Sequence, residues 1–444
     1  MTNDNLQAIA AADTDELAAR LNGRDDSFLR PADTAAALRT MLWKEFELSR
    51  LAFGWMPAAT TYERKTRLGR FGYQHASSAK ELHERIKELP GSLNETKGTP
   101  EPIRAQYERM AIAPSDVAFL ISYQFLLQRL RDDYDELTAR LDPVLDAPTI
   151  DRIRRATLDF GDTEAWLRHE LHTAHLNGGD ARMLAAWKAH VVRAWNDGAP
   201  AEWPAAWGEA AGPLPAVSAS DPRFRTAPPD ASSALYADPA NSPLIDSVKQ
   251  MIYVNATEII AAENLAYLYG SIHRMPLAFY YDLSRHLWDE VRHSQMGVRR
   301  LRQLGFDIGD FVFFPPIRLQ PDSRVEQLID GYVSLTNVAE ACSFPYKRQA
   351  AQAFWKHGDP LSAIQSEFDI ADERLHVDFG AQWGPELYKQ FHQEVITAQK
   401  LAEKAREFRL KRMNFSPEHI AETAKSFPAF CGVANTVHLA FENY

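Results

Sequence analysis

The chain is poor in cysteine. Only Cys342 and Cys431 occur in 444 residues, too few for a disulfide framework and suited to a reducing compartment. Long apolar runs are missing as well. The longest, around Val117–Leu127, is broken by Ser122 and Gln124 and falls short of the roughly 18 residues that a membrane-spanning helix needs. There is no excess of basic charge: the formal net charge is −11, which argues against nucleic acid held on a basic surface. The acidic start MTNDNLQAIAAADTDELAARLN has no basic n-region, so a signal peptide is not expected, and the expected location is cytoplasmic. A Gly-rich phosphate loop, a Gly-x-Ser-x-Gly elbow and a Rossmann fingerprint are all absent, so any reducing equivalents must come from a separate donor or from the substrate itself. What is present is an ordinary globular composition, 45% hydrophobic and 25% charged, which excludes a disordered or fibrous chain.

On each side of a Pro-rich break the pattern is helical, with no Asn-Gly hairpin signal and no convincing alternation of strand residues. Between Asn196 and Ser242 eight prolines fall among Ala, Asp, Ser and Gly. Proline fixes φ and removes a donor, so 196–242 is expected to be a linker, anchored in part by Trp203, Trp207 and Phe224. It separates an N-terminal helical domain (1–195) from a bundle over 243–412, followed by a tail (413–444). In the C-terminal part, Ser242-Pro243 opens a helix running to Gly270. Pro276 opens a second, ending at Gly305. Ser323 with Glu326 forms a capping box for a third, ending near Gly358. Asp359-Pro360 starts a fourth, ending near Gly380, and a fifth runs from Pro385 to about Arg412. The N-terminal half suggests helices at about 34–54, 64–89, 114–141 and 148–175, with another to Trp195. A second four-helix bundle is one reading of these.

Two pentads carry chemistry: Asp289-Glu290-Val291-Arg292-His293 and Asp372-Glu373-Arg374-Leu375-His376. On a helix, residues i and i+3 share a face, so each pentad aims a carboxylate and an imidazole at one point. That donor mixture suits iron or manganese. A dinuclear centre between four helices also needs one glutamate from each remaining helix. Glu258 precedes Glu290 by 32 residues (290 − 258), and Glu340 precedes Glu373 by 33 (373 − 340). Helical hairpins of that length bring such pairs to one level. Glu258 interrupts the apolar stripe Val248, Met251, Val254, Ala262, Leu265, Tyr269, and Glu340 follows Ile329, Val333 and Thr336 along one face. A lone buried carboxylate costs several kcal/mol, and two divalent ions would balance four of them. Glu263 is the rival to Glu258, and the matched spacing favours Glu258.

Glu258, Glu290, His293, Glu340, Glu373 and His376 resemble the ligand set of the ferritin-like di-iron carboxylate superfamily, and the Asp-Glu-x-x-His form is similar to its oxygen-activating members. The resemblance implies an all-α fold with a ferritin-like four-helix bundle over about 243–412. It also implies two iron ions, with a manganese–iron pair as the alternative, reacting with O2 or peroxide. Asp289 and Asp372 would then accept hydrogen bonds from the ligand imidazoles.

Departures from the relatives narrow the expectation. Gly297 stands where reductase small subunits of this superfamily carry a radical tyrosine, which argues against a radical-storing role and leaves room for a substrate or O2 pocket. Phe344 stands where monooxygenase hydroxylases carry a threonine, and Pro345 behind it should kink the helix. Cys342 is expected to be a small buried apolar group. His286, four residues before Glu290, is open to three readings: a seventh ligand, a donor behind the ligands, or a core histidine. The corresponding place before Glu373 holds Asp369. The cluster His169, His172, His175 lacks zinc-protease spacing and is expected to be structural. The expected function is an O2-dependent di-iron oxidase or oxygenase acting on a small organic molecule, with a separate electron donor. The competing reading is iron handling or peroxide scavenging. No nucleic-acid or membrane partner is expected. A homodimer is one use left to a metal-free N-terminal half.

Overall fold

The computed structural model describes residues 28–176, 181–197, 203, 207–226, 242–310, 312–313, 316–318 and 324–413, together with Asp15 and Ala18. Among these the chain is all-α; the strand content is a parallel pair of two-residue pieces, β1 (Arg225–Thr226) and β2 (Val312–Phe313). No helix among them is long and apolar enough to cross a membrane. The Ser323 cap, Cys431 and the tail beyond Met413 lie outside the described residues, as does the side chain of Cys342.

The N-terminal half comprises α1 (Pro31–Trp55), α2 (Tyr62–Glu88), α3 (Glu101–Glu108), α4 (Asp116–Ala139), α5 (Ala147–Ala156), α6 (Phe160–Leu176) and α7 (Ala181–Asp197). Side-chain caps start two of them: Thr61 accepts from the amide of Arg64, and Ser115 from that of Ala118. The stretch expected as one helix over 148–175 is two, because the chain turns at Thr157 without any glycine or proline to announce it.

The C-terminal half builds four long helices. α8 (243–271) begins under the Ser242 cap and includes a π-helical turn at Val248–Tyr253. α9 is Leu277–Gln303. α10 (324–356) contains a second π-helical turn, Leu335–Glu340, about one turn before Pro345. The proline lacks the amide that would bond the carbonyl of Ala341, and the ladder is re-registered in the turn just upstream. α11 (Pro360–Leu387) is longer than expected: Gly380 and Pro385 lie inside it. It runs on through a π-helical turn to His392, and the chain breaks at Gln393, in the left-handed region at φ 54°. α12 (Ala398–Met413) follows. The break therefore falls after Pro385, where the helix expected from that residue does not begin.

α8 to α11 pack on one another, α1 packs on α8, and α2 packs on α9. One apolar core runs through both halves: Phe46 and Phe53 of α1 contact Tyr269 of α8, and Phe46 contacts Tyr280 of α9. The described part of the expected linker is strapped to this core. Leu214 donates to the carbonyl of Gly54, Ala219 to that of Pro57, and Tyr267 to that of Pro215. The described part of 196–242 thus packs on a core to which both halves contribute.

Candidate metal centre

Four turns, one each from α8 to α11, converge on one buried interior. Glu258 comes from α8; His286, Glu290 and His293 from α9; Glu340 from α10; Asp369, Glu373 and His376 from α11. Oxygens and ring nitrogens of His286, Glu290, Glu340 and His376 lie within 4.8 Å of one another, as do those of Glu258, Glu290 and His293, and those of His293, Asp369 and Glu373. Glu290 belongs to the first two groups and so lies between them. All of these residues are buried, apart from Glu258, whose side chain is 17% exposed.

The donor atoms face inwards. His376 Nδ1 is 3.5 Å from Glu290 Oε1, 3.6 Å from Glu340 Oε1 and 3.8 Å from Glu373 Oε2. His293 Nδ1 is 3.5 Å from Glu258 Oε2. The opposite ring nitrogens point at aspartates of the other pentad: His376 Nε2 to Asp289 (3.4 Å) and His293 Nε2 to Asp372 (3.3 Å). Arg292 bridges the two aspartates at 2.5 and 3.0 Å, and Arg285 does so at 2.7 and 3.1 Å. His286 sits beside the first group, with Nε2 2.9 Å from Glu340 Oε1 and its ring stacked 3.7 Å from that of His376.

The residues fit bound metal by one direct test. Each of the six side chains singled out by spacing has a buried atom that makes no hydrogen bond: Glu258 Oε2, Glu290 Oε1, His293 Nδ1, Glu340 Oε2, Glu373 Oε2 and His376 Nδ1. Buried polar atoms are ordinarily paired; with His286 Nδ1 and Asp369 Oδ2 this interior holds eight that are not, a donor set that could hold metal. The charge sum agrees. Glu258, Glu290, Glu340, Glu373, Asp369, Asp289 and Asp372 contribute −7, and Lys347, Arg285 and Arg292 contribute +3. The remaining −4 equals two divalent ions.

Electrostatics describe the same frustration. Burial, with the nearby Glu290 carboxylate, pushes Glu258 far above the usual carboxylate range, and burial raises Glu290 as well. Burial would also raise Glu340, but the imidazoles of His286 and His376 outweigh it and hold it low. Burial opposes charging His293, yet Asp369 and Asp372 carry it up to about 10.

One expectation needs correction, and others can be placed. Gly297 opens no space: a Cβ there would lie 2.2 Å from the amide nitrogen of Ala256 and 2.6 Å from the carbonyl oxygen of Ile252. The glycine lets the backbone of α8 approach α9. Gly380 stands at the same offset after His376, and a Cβ there would collide with the Thr336 side chain of α10. Glu263 is not in the cluster; it pairs with Lys65 of α2 at 2.6 Å. Phe344 is fully buried in a small apolar cluster with Ala341, Ile370 and Val377, of which Ala341 follows Glu340 and Val377 follows His376 in sequence. Among the described residues, no metal-capable group includes His169 or His172; Glu170 between them pairs with Arg64. The side chain of His175 lies outside the described residues. An open cleft of about 580 Å³, lined by Tyr62, Arg67, Trp166, Val298 and Arg299 among others, opens on the face of α9 turned away from the ligands.

One residue, Lys347, escaped the sequence reading, whereas Tyr332 was expected to be a core aromatic. Lys347 is buried, with Nζ 2.9 Å from Asp369 and 2.5 Å from Glu373. Its signal was its position two turns beyond Glu340, on the same face of α10. Tyr332 is buried with its ring 5.9 Å from that of His286, and its hydroxyl makes no hydrogen bond.

Fold and site together define an all-α protein with a buried His/Glu/Asp cluster able to hold metal. A family model described as "Protein of unknown function (DUF455)" matches residues 215–420, a span that contains every residue of the cluster. No curated protein and no solved structure matches the chain.

Proposed function

We propose that this protein is an O2-dependent oxidoreductase that holds two iron ions in a ferritin-like arrangement of α8 to α11 and oxidises a small organic molecule. The observation that carries this reading is the set of six orphaned donor atoms, one on each of Glu258, Glu290, His293, Glu340, Glu373 and His376. These residues would hold the metals, with His286 as a further nitrogen donor beside Glu340. Iron held there supplies redox chemistry towards O2 that none of these side chains offers alone. The chain's own contribution is orientation and exclusion of water. Asp289 and Asp372 fix the imidazole rings, and Arg285 and Arg292 fix the aspartates. Ala341, Phe344, Ile370 and Val377 form an apolar wall alongside the ligands. Glu290, shared by two donor groups, is the carboxylate suited to link the two positions.

The test is anaerobic loading with Fe(II), metal quantification, then absorption followed by stopped flow on addition of O2. About two irons per chain are expected from the ligand set, with a transient oxidation signal. Glu340→Ala and His376→Ala should each lower the stoichiometry, whereas His172→Ala should leave it intact. Loss of metal in His172→Ala alone would overturn the assignment. Continued mineralisation of excess iron without organic substrate would shift the reading to iron handling.

A further inference from the structure

We propose that Lys347 is a built-in cation of this centre and makes its two metal positions unequal, so that one divalent ion binds tightly and the second weakly. The inference rests on the dinuclear reading above. It begins from the three donor groups. The position formed by His286, Glu290, Glu340 and His376 has two imidazoles and two carboxylates, all buried. The position formed by Glu258, Glu290 and His293 has one imidazole and two carboxylates; it shares Glu290, and Glu258 is partly exposed. The third group, His293, Asp369 and Glu373, already contains a cation. The ammonium of Lys347 lies 2.9 Å from Asp369 Oδ1 and 2.5 Å from Glu373 Oε1, and its side chain is 9% exposed.

Each of these two carboxylates therefore spends one oxygen on Lys347. The other oxygen, Asp369 Oδ2 or Glu373 Oε2, is buried and makes no hydrogen bond. Asp369 and Glu373 can offer a metal one oxygen apiece, and the charge they bring is partly cancelled. A divalent ion beside His293 meets the ammonium's repulsion across a dry interior, where charges act strongly. An ion beside His286 has four donors of its own and does not depend on the carboxylates that Lys347 ties down. The lysine also explains how five clustered carboxylates are tolerated before any metal arrives.

The probe is Co(II), titrated anaerobically into the full chain and followed by visible absorption, with a competing chelator setting the affinity scale. The wild type should bind in two phases separated at least about tenfold in affinity, the scale on which a single nearby charge acts. Lys347→Met should tighten the weak phase until the two phases nearly merge, and Lys347→Arg, which keeps the charge, should preserve the separation. His286→Ala should remove the tight phase and spare the weak one. Equal sites in the wild type would overturn the proposal, as would a weak phase unmoved by Lys347→Met. Should Lys347→Met fail to fold, as circular dichroism would show, the wild-type and His286→Ala titrations decide alone: loss of the weak phase rather than the tight one in His286→Ala refutes the inequality. Absence of any Co(II) binding sinks the dinuclear reading as well, whereas two equal sites sink only the role of Lys347.

Discussion

Asp289 Oδ2 lies 3.4 Å from Nε2 of His376, an imidazole that belongs to the other pentad. The reciprocal contact joins Asp372 to His293 at 3.3 Å. Each Asp-Glu-x-x-His motif thus supplies a carboxylate and an imidazole to the centre and orients the imidazole of its twin. The exchange couples α9 to α11, so neither helix can turn without releasing a ring of the other.

Asp289→Asn tests this coupling. The amide keeps the size of the carboxylate but loses the charge that favours a protonated Nε2 and a metal-facing Nδ1. Metal affinity should fall about 10–100-fold, the usual effect of removing a partner that orients a ligand, while far-UV circular dichroism stays unchanged. Chelator competition reads the affinity. An unchanged value would show that helix packing alone holds the ring.

Gly297→Ala should destabilise the fold by about 2 kcal/mol or more, because the new methyl would meet only backbone atoms of α8, at 2.2–2.7 Å. Relief requires α8 to move away, carrying Glu258 with it, so metal stoichiometry should fall too. Gly331→Ala on α10 is the control, since nothing lies within 4 Å of a Cβ there; it should be neutral or stabilise by about 0.5–1 kcal/mol. Urea denaturation of the two variants separates the outcomes, and equal behaviour would refute the close-approach account.

The same glycine shows where sequence reasoning stops. Spacing located Glu258 and Glu340 because a hairpin of 32 or 33 residues returns to its own level, a property of the local helix geometry. The caps at Ser242 and Asp359 were legible for the same local reason. Gly297 was misjudged because an absent side chain looks like space, whereas the neighbouring backbone that fills it is 41 residues away in sequence (297 − 256). Gly380 and Pro385 resemble helix punctuation, but tertiary packing overrides both and α11 continues through them. Lys347 was passed over, despite lying two turns beyond Glu340 on one face, because lysine is ordinarily a solvated residue; the opposing Asp369 and Glu373 show that this one is held inside.

Lys65 and Glu263 tie the N-terminal half to α8. Their charged atoms are 2.6 Å apart and both side chains are buried, while Lys65 Nζ also reaches the carbonyls of Met56 and Pro57 at 3.4 and 3.3 Å. Glu263→Gln leaves a buried ammonium without its counter-charge and should cost about 3–5 kcal/mol. The double variant Lys65→Met/Glu263→Leu should recover much of that loss. Metal stoichiometry in the folded fraction should not change, because Glu263 lies outside the donor groups. Thermal or urea denaturation gives the first result and metal analysis the second; a metal-deficient Glu263→Gln would reinstate Glu263 as a ligand.

Asp221 gives the strap a pH signature. Its carboxylate accepts from the amide of Tyr62 at the start of α2 (2.8 Å), and from the amide and guanidinium of Arg223 at 2.6–2.9 Å. Burial alone would raise its pKa, but Arg223 and these amides outweigh burial and hold it below the ordinary value. A depressed folded-state pKa stabilises the fold above the unfolded value, near about 3.9, and the contribution disappears as pH falls through the folded one. Asp221→Asn should therefore be less stable than the wild type by about 1–3 kcal/mol at neutral pH, and the gap should narrow as pH drops below about 4. Groups that titrate alike in both proteins cancel in the difference. Urea midpoints measured across that range decide the matter: a gap that persists undiminished in acid would mean the lost amide contacts are steric rather than ionic.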